Sequence, residues 1–264
     1  MLWKRVLSAF LLVPLIALLA IHPISFLILT CLIVALIYLE YARLTRSLGA
    51  DPVEPLGLIS VLSLPLLSFL DVDPLPAIVI WTVLISLAVV LRGRAEGGFI
   101  SLSSTLFALL YLGWLYGYQL VQLRGMREGL ELIFLLLGIV WMGDTGAYFT
   151  GKLLGRHKLI PSISPGKTIE GSIGGLVWGI GGGVAVKYIF GIETVPLGHL
   201  IAMALILGVV GQIGDLVESI LKRNAGVKDS GGLIPGHGGM FDRCDSMIPV
   251  VPVMLLYLRY VLKL

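Results

Sequence analysis

Apolar runs follow one another along almost the whole chain, and they constrain its fold more than any other feature. In hydrocarbon a backbone N–H or C=O has no water to pair with, so a spanning segment must be a helix or part of a closed barrel. The runs are long and continuous, without the alternation of polar and apolar positions that marks barrel strands. The expected class is an all-α, polytopic integral membrane protein with about nine transmembrane helices. Composition agrees: 57% of residues are hydrophobic and 13% are charged, against about 25% charged in soluble domains, and the mean hydropathy is +0.99.

The expected spans are 6–21, 24–41, 56–70, 76–91, 102–120, 132–149, 172–190, 197–221 and 246–262. The first resembles a signal peptide in having Lys4 and Arg5 ahead of an apolar stretch. It lacks a clear A-x-A site and many apolar runs follow, so it reads as a first membrane helix. The whole of 1–264 reads as one membrane-embedded domain. Residues 1–128 hold the N-terminal spans, and 129–264 form the half that carries the chemistry. With nine spans, fourteen of the nineteen Lys and Arg residues fall on one side. The positive-inside rule makes that side cytoplasmic. The N-terminus is then expected inside, the C-terminus outside, and both long polar loops, 150–170 and 222–245, in the cytoplasm. The net charge of +3 gives no reason to expect a nucleic-acid partner. Cys31 and Cys244 form no disulfide framework or metal spacing.

Charge and glycine concentrate in the stretch 211–245, which holds ten charged or histidine residues and eight glycines. Asp215, Glu218 and Lys222 recur at helical spacing and share a face. The favourable i, i+4 order of Glu218 and Lys222 allows a plain ion pair. Asp215 has no cation at such spacing, and an ionisable group in an apolar helix is a functional candidate by default. A glycine-rich loop follows, carrying Lys228, Asp229 and His237, and then Asp242, Arg243 and Asp245. Carboxylates for a cation, bases for phosphate and glycines for close backbone approach stand together, which is the equipment of phosphoryl chemistry.

A second polar block begins at Asp144, inside the sixth expected span, and continues through Ser164, Lys167, Thr168 and Glu170. These last four form a polar turn ahead of a helix, and a helix N-terminus with a lysine and hydroxyls suits a phosphate. Thr168 is also a natural helix cap. The run S-P-G-K-T lacks the G-x-x-x-x-G-K-[ST] spacing, which excludes a P-loop ATPase. Further along, Gly171, Gly175, Gly179 and Gly183 recur every four residues. This is a ridge for close helix packing, either within the subunit or across a homodimer.

The stretch Ser219-x-Leu221-Lys222-Arg223, then Lys228-Asp229-x-Gly231, then Ile234-Pro235-x-His237-Gly238-Gly239-Met240-x-Asp242-Arg243-x-Asp245 resembles the signature of the phosphatidate cytidylyltransferases, or CDP-diglyceride synthetases. The run from Asp144 to Gly175 is similar to a second block of that family. Cys244 departs from the pattern, between an intact Asp242-Arg243 and Asp245. The resemblance covers the C-terminal half; the N-terminal spans match only in being apolar.

The resemblance implies transfer of the cytidylyl group of CTP to phosphatidate, giving CDP-diacylglycerol and pyrophosphate. It implies a multi-pass enzyme of the inner (plasma) membrane, with CTP arriving from the cytoplasm and the lipid from the bilayer. Asp215 and Asp242, assisted by Asp245 and Asp144, are expected to hold Mg²⁺, alone or with a second cation. Lys167, Lys222, Arg223, Lys228 and Arg243 are expected on phosphates, Ser164 and Thr168 as hydroxyl contacts, and Asp229, His237 and Glu170 within the site. Two other readings are weighed. A CTP-dependent polyprenol kinase would release CDP rather than pyrophosphate. A cation-coupled transporter would use Asp144 and Asp215 as its ion site, but no inverted repeat is visible.

Overall fold

The computed structural model describes residues 21–93, 95–232 and 238–264. The first expected span therefore lies, but for Ile21, outside the described residues, as does His237. The helices are α1 (Pro23–Ser47), α2 (Glu54–Phe69), α3 (Leu75–Leu91), α4 (Gly98–Gly125), α5 (Gly129–Leu154), α6 (Ile169–Phe190), α7 (Leu197–Asn224) and α8 (Met247–Leu256). One turn, Phe241–Cys244, precedes α8, and a π-helical turn, Tyr257–Val261, continues it. Six stretches are long and apolar enough to cross a membrane: α1, α4, α5, α6, α7 and Phe241–Val261. Helices α2 and α3 are apolar but have 16 and 17 residues. At 1.5 Å per residue they extend only about 24–26 Å, short of a core of roughly 30 Å. The chain is an integral membrane protein built of helices, with six such spans among the described residues where nine are expected.

The helix ends follow from local chemistry. Pro23 opens α1 at a position needing no N–H, and His22 Nδ1 accepts the Ile24 amide at 3.3 Å. Thr168 caps α6 by accepting the Gly171 amide at 3.1 Å. Gly191, at φ 64°, ends α6 in the left-handed region. One feature departs from the all-α expectation. Strands β1 (Lys158–Ile160) and β2 (Ser164–Thr168) pair antiparallel, with Lys158 opposite Thr168 and Ile160 opposite Ser164. The polar turn expected ahead of α6 is therefore partly strand. Three residues suffice to reverse the chain, and the paired backbones satisfy groups that a free loop would leave to water.

Contacts divide the chain into two units. The first joins the residues up to Gly125 to the distant segment Leu221–Cys244. Its core holds Ile37 and Tyr38 of α1, Leu64 of α2, Leu109, Leu112 and Tyr116 of α4, and Phe241, all fully buried. Within α4, residues Leu109–Tyr118 form a π-helical run. Gly113 and Gly117 of that run let it lie on α2: a Cβ at Gly113 would stand 3.1 Å from Val61 Cα. Tyr116 reaches Cys244 Sγ with its hydroxyl at 3.7 Å. In α3 only Ile85 is buried. Ala77, Ile78 and Trp81 pack partly buried beside it, and the exposed Val79, Ile80, Val83, Leu84, Leu87, Val90 and Leu91 offer apolar surface suited to lipid.

The second unit is Met126–Ile220 with Asp245–Leu264. Its organising contact is the seam between α5 and α6. A Cβ at Gly175 would lie 3.0 Å from both Gly143 O and Ala147 Cβ, and one at Gly179 would lie 3.1 Å from Ile139 O. The glycine ridge seen in the sequence thus packs inside the subunit, on the Gly143–Ala147 side of α5. Without a hydrophobic force between helices in lipid, such close backbone approach supplies the dispersion that holds a helix pair together.

Candidate active site

In the second unit, α7 presents Asp215 and Glu218 one turn apart, and the break before α8 presents Asp245. One carboxylate oxygen from each lies within 4.8 Å of the others. Glu218 is 1% exposed, and Asp215 and Asp245 are half-buried. The three meet because α7 is bare where the other segment passes. A Cβ at Gly214 would lie 2.5 Å from Asp245 O and 2.7 Å from Pro249 Cγ, and one at Gly211 would touch Val250 and Ser246. Asp245 is turned by the Ser246 amide, which donates to its Oδ1 at 2.6 Å. Ser219 donates to Asp215 Oδ1 at 3.3 Å.

The β-hairpin supplies a cation to this cluster. Alternate strand residues face opposite ways, and β2 uses both faces. Thr168 turns inward to cap α6, while Lys167 Nζ reaches Asp215 Oδ2 at 2.7 Å. Glu170 secures the hairpin's base. Its carboxylate accepts the Arg156 amide at 3.1 Å and the His157 amide at 3.2 Å, and it meets His157 Nδ1 at 2.6 Å. Ser164 begins β2 and is half-buried. A cleft in the same unit is lined by Gly143, Asp144, Ala147, Gly175, Leu207, Gly208, Gly211, Gln212 and Ser246. Asp144 therefore lines a cleft together with Gln212, three residues before Asp215, and Ser246, the residue after Asp245.

Three carboxylates at this spacing repel one another by about 4 kcal/mol per pair at an effective dielectric constant of 20 and 4 Å. Lys167 offsets part of that for Asp215. The donor set is all oxygen, which fits a hard divalent cation that keeps coordination positions for water or phosphate. Glu218, for which the sequence allows a plain ion pair with Lys222, is a member of the carboxylate cluster. Gly214→Ala is expected to displace Asp245 and weaken divalent-cation binding about 10- to 100-fold, the scale of lost ligand support. The check is the rise in melting temperature of the detergent-solubilised protein on adding Mg²⁺, which would shrink in the variant.

The remaining sequence candidates lie in the first unit. Lys222 Nζ binds Asp242 Oδ1 at 2.6 Å, and their side chains are 11% and 9% exposed. Asp242 Oδ2 accepts the Ser230 amide, the Ser230 hydroxyl and the Gly239 amide, each at 2.8 Å. Asp242 is therefore tied into the glycine-rich loop and is not one of the three clustered carboxylates. Arg223, Lys228, Asp229 and Arg243 are exposed. A residue that the sequence reading passed over joins this group. Glu40 of α1, 4% exposed, accepts the Ser230 hydroxyl at 3.0 Å, the Met240 amide at 3.0 Å and the Phe241 amide at 2.8 Å. Its signal in the sequence is a lone carboxylate inside an otherwise apolar run.

Comparison with known proteins gives a consistent picture. Residues 3–261 match the model of the family described as "Cytidylyltransferase family". A Bacillus subtilis protein named phosphatidate cytidylyltransferase is 44% identical over 163 residues, covering 60% of this chain and 57% of that protein. One of the same name from Staphylococcus saprophyticus is 42% identical over 172 residues, covering 65% of this chain and 64% of the relative. A Staphylococcus aureus protein of that name reaches 51% over 127 residues, 48% of each chain. The matches thus span about half to two thirds of these relatives' lengths.

Proposed function

We propose, from the premise that this chain belongs to the cytidylyltransferase family, that it is a membrane nucleotidyltransferase making CDP-diacylglycerol and pyrophosphate from CTP and phosphatidate. The observation that carries this reading is the Asp215–Glu218–Asp245 cluster with Lys167 on one of its members. It combines oxygen ligands with a cation suited to phosphate, beside a cleft between membrane helices. The names of the relatives support the substrates.

The reaction joins two anions. A phosphatidate oxygen attacks the α-phosphorus of CTP, the bond to the β-phosphate oxygen breaks, and pyrophosphate leaves with its electron pair. The nucleophile is already ionised at neutral pH, so no general base is required. The protein's work is to hold the groups in line and offset their charge. Asp215, Glu218 and Asp245 would hold Mg²⁺, alone or with a second cation, with Asp144 nearby on the cleft wall. The cation's contribution is to neutralise phosphate charge as it shifts to the leaving group. Lys167 gives a proton donor to a phosphate while keeping Asp215 oriented. Ser164 and Thr168 lie on the same hairpin strand, where a hydroxyl contact to substrate is compatible with the cap Thr168 makes. Glu170 acts indirectly, by closing the hairpin that presents Lys167. Arg223, Lys228 and Arg243 are exposed cations for the triphosphate, with Lys222 and Asp242 shaping the loop between them. The enzyme sits in the bacterial inner membrane with its two polar loops in the cytoplasm, the side favoured by fourteen of the nineteen basic residues.

The test is pyrophosphate release by the purified protein in detergent with dioleoyl phosphatidate, CTP and Mg²⁺, with and without EDTA. Pyrophosphate that requires lipid, CTP and free Mg²⁺ is the expected result. CDP formed with a polyprenol, and no pyrophosphate, would replace this reading with a lipid kinase.

A further inference from the structure

A carboxylate buried in a membrane helix is costly unless donors surround it. Glu40 sits in α1, in a stretch otherwise apolar from Leu32 to Leu39, and is 4% exposed. Its two oxygens accept three hydrogen bonds, and all three donors come from one distant part of the chain. They are the Ser230 hydroxyl and the backbone amides of Met240 and Phe241. Among the described residues none of these partners is basic. The carboxylate is therefore built to fix backbone rather than to form an ion pair.

The surrounding sequence is cut to fit it. A Cβ at Gly231 would lie 2.6 Å from Glu40 Oε1, and a Cβ at Gly239 would collide with Glu40 and Ser230. Two glycines of the polar loop thus make room for this one side chain. The Ser230 hydroxyl extends the arrangement, since it lies 3.0 Å from Glu40 Oε2 and 2.8 Å from Asp242 Oδ2. With a single proton it donates to one carboxylate at a time, and it accepts from the Asp242 amide at 3.4 Å. Phe241 completes the anchor by packing edge-on against Tyr41, one residue along α1, with ring centroids 6.4 Å apart. Glu40 therefore grips the residues immediately before Asp242 and Arg243 and, through Ser230, shares a partner with Asp242 itself.

We infer that Glu40 is a positioning residue of the enzyme: it fixes the segment that carries Asp242 and Arg243 against α1, without touching substrate. The inference rests on the proposed cytidylyl transfer for its effect on turnover, but its structural part does not. Glutamine is the informative replacement, because it keeps the shape and loses the charge. One acceptor oxygen becomes an NH₂, and either orientation of the amide sets an N–H group against the Met240 or the Phe241 N–H. A buried donor is then left without an acceptor, so local opening becomes about 5- to 150-fold more frequent.

The experiment uses the full chain in detergent. Hydrogen exchange followed by mass spectrometry reads the peptide containing Met240 and Phe241, and pyrophosphate release is measured in parallel. In Glu40→Gln that peptide is expected to exchange at least about fivefold faster, with α5 unchanged. Turnover should fall about a hundredfold, the scale of an ångström's misplacement, and KM for CTP should rise with it, because Arg243, assigned to the triphosphate, moves with the segment. Glu40→Asp, which keeps a carboxylate on a shorter stem, should recover part of the loss. Wild-type exchange at Met240 and Phe241, or faster exchange with wild-type turnover, would overturn the inference. If the wild-type protein releases no pyrophosphate at all, the proposed reaction fails, and the exchange comparison still decides whether Glu40 holds the segment. Should Glu40→Gln not fold, Glu40→Asp carries the test: its shorter stem should leave the peptide containing Met240 and Phe241 exchanging faster than wild type, and wild-type exchange there would overturn the inference.

Discussion

Replacing Asp215 by asparagine is expected to lower pyrophosphate release at least about a hundredfold, the scale on which a preorganised electrostatic group acts in transfer reactions. Asparagine keeps one oxygen in place but removes the charge. Two interactions are lost together. The cluster of Asp215, Glu218 and Asp245 drops to two anions, and Lys167, now 2.7 Å from Asp215, loses its ionic partner. A half-buried polar site tolerates this substitution without unfolding, so the melting temperature in metal-free buffer should stay within a few degrees of wild type. Added Mg²⁺ should raise the wild-type melting temperature, because a ligand that binds only the folded state stabilises it by mass action. The variant should show little of that rise. Near-wild-type turnover in Asp215→Asn would refute the proposed metal role, and an unchanged Mg²⁺ response would do so independently of any assay of the reaction.

The second large effect concerns stability. Lys222→Met should destabilise the protein by about 3–5 kcal/mol, because it strands the carboxylate of Asp242 in a buried place. The pair is well shielded, with side chains 11% and 9% exposed and a separation of 2.6 Å, so solvent screening relieves little of the cost. What remains around Asp242 is neutral: the Ser230 amide and hydroxyl and the Gly239 amide. The double variant Lys222→Met/Asp242→Asn removes both charges and should regain much of the loss. The coupling between the two sites, read as a double-mutant cycle on thermal unfolding in detergent, should exceed 1 kcal/mol. Additive effects would show that the two side chains do not depend on each other.

How much of this was legible in the sequence depends on the distance over which each feature is encoded. Helical spans were legible because a run of apolar residues is a local property; the structure's α4, α5, α6 and α7 lie on the expected stretches. The glycine repeat of α6 was equally visible, since its period is contained in one helix. Its partner was not, because nothing in the repeat distinguishes Gly143 and Ala147 of α5 from a second subunit. The hairpin was hidden because strands of three and five residues carry too little pattern to compete with a polar-loop reading. Within the candidate site, the types of residue needed were evident, but their grouping was not. Local spacing offered Lys222 to Glu218, four residues away. The contact of Lys222 Nζ with Asp242, twenty residues on, left no sign in that spacing. Lys167 and Asp215 come from different elements, so neither one's neighbours announce the other. Glu40 is the extreme case, with partners 190 to 201 residues away.

That last separation bears on how the molecule is made. Chains are synthesised at about 5–20 residues per second, so roughly 10–40 s pass between the making of Glu40 and the making of Met240 and Phe241. Through that interval α1 is already a nascent membrane helix, and the donors that will surround its carboxylate do not yet exist. The unit to which α1 belongs is closed by Leu221–Cys244, after the intervening helices have been threaded. Biogenesis is therefore ordered: the early helices wait in the bilayer as an open assembly, and a late-emerging segment latches them.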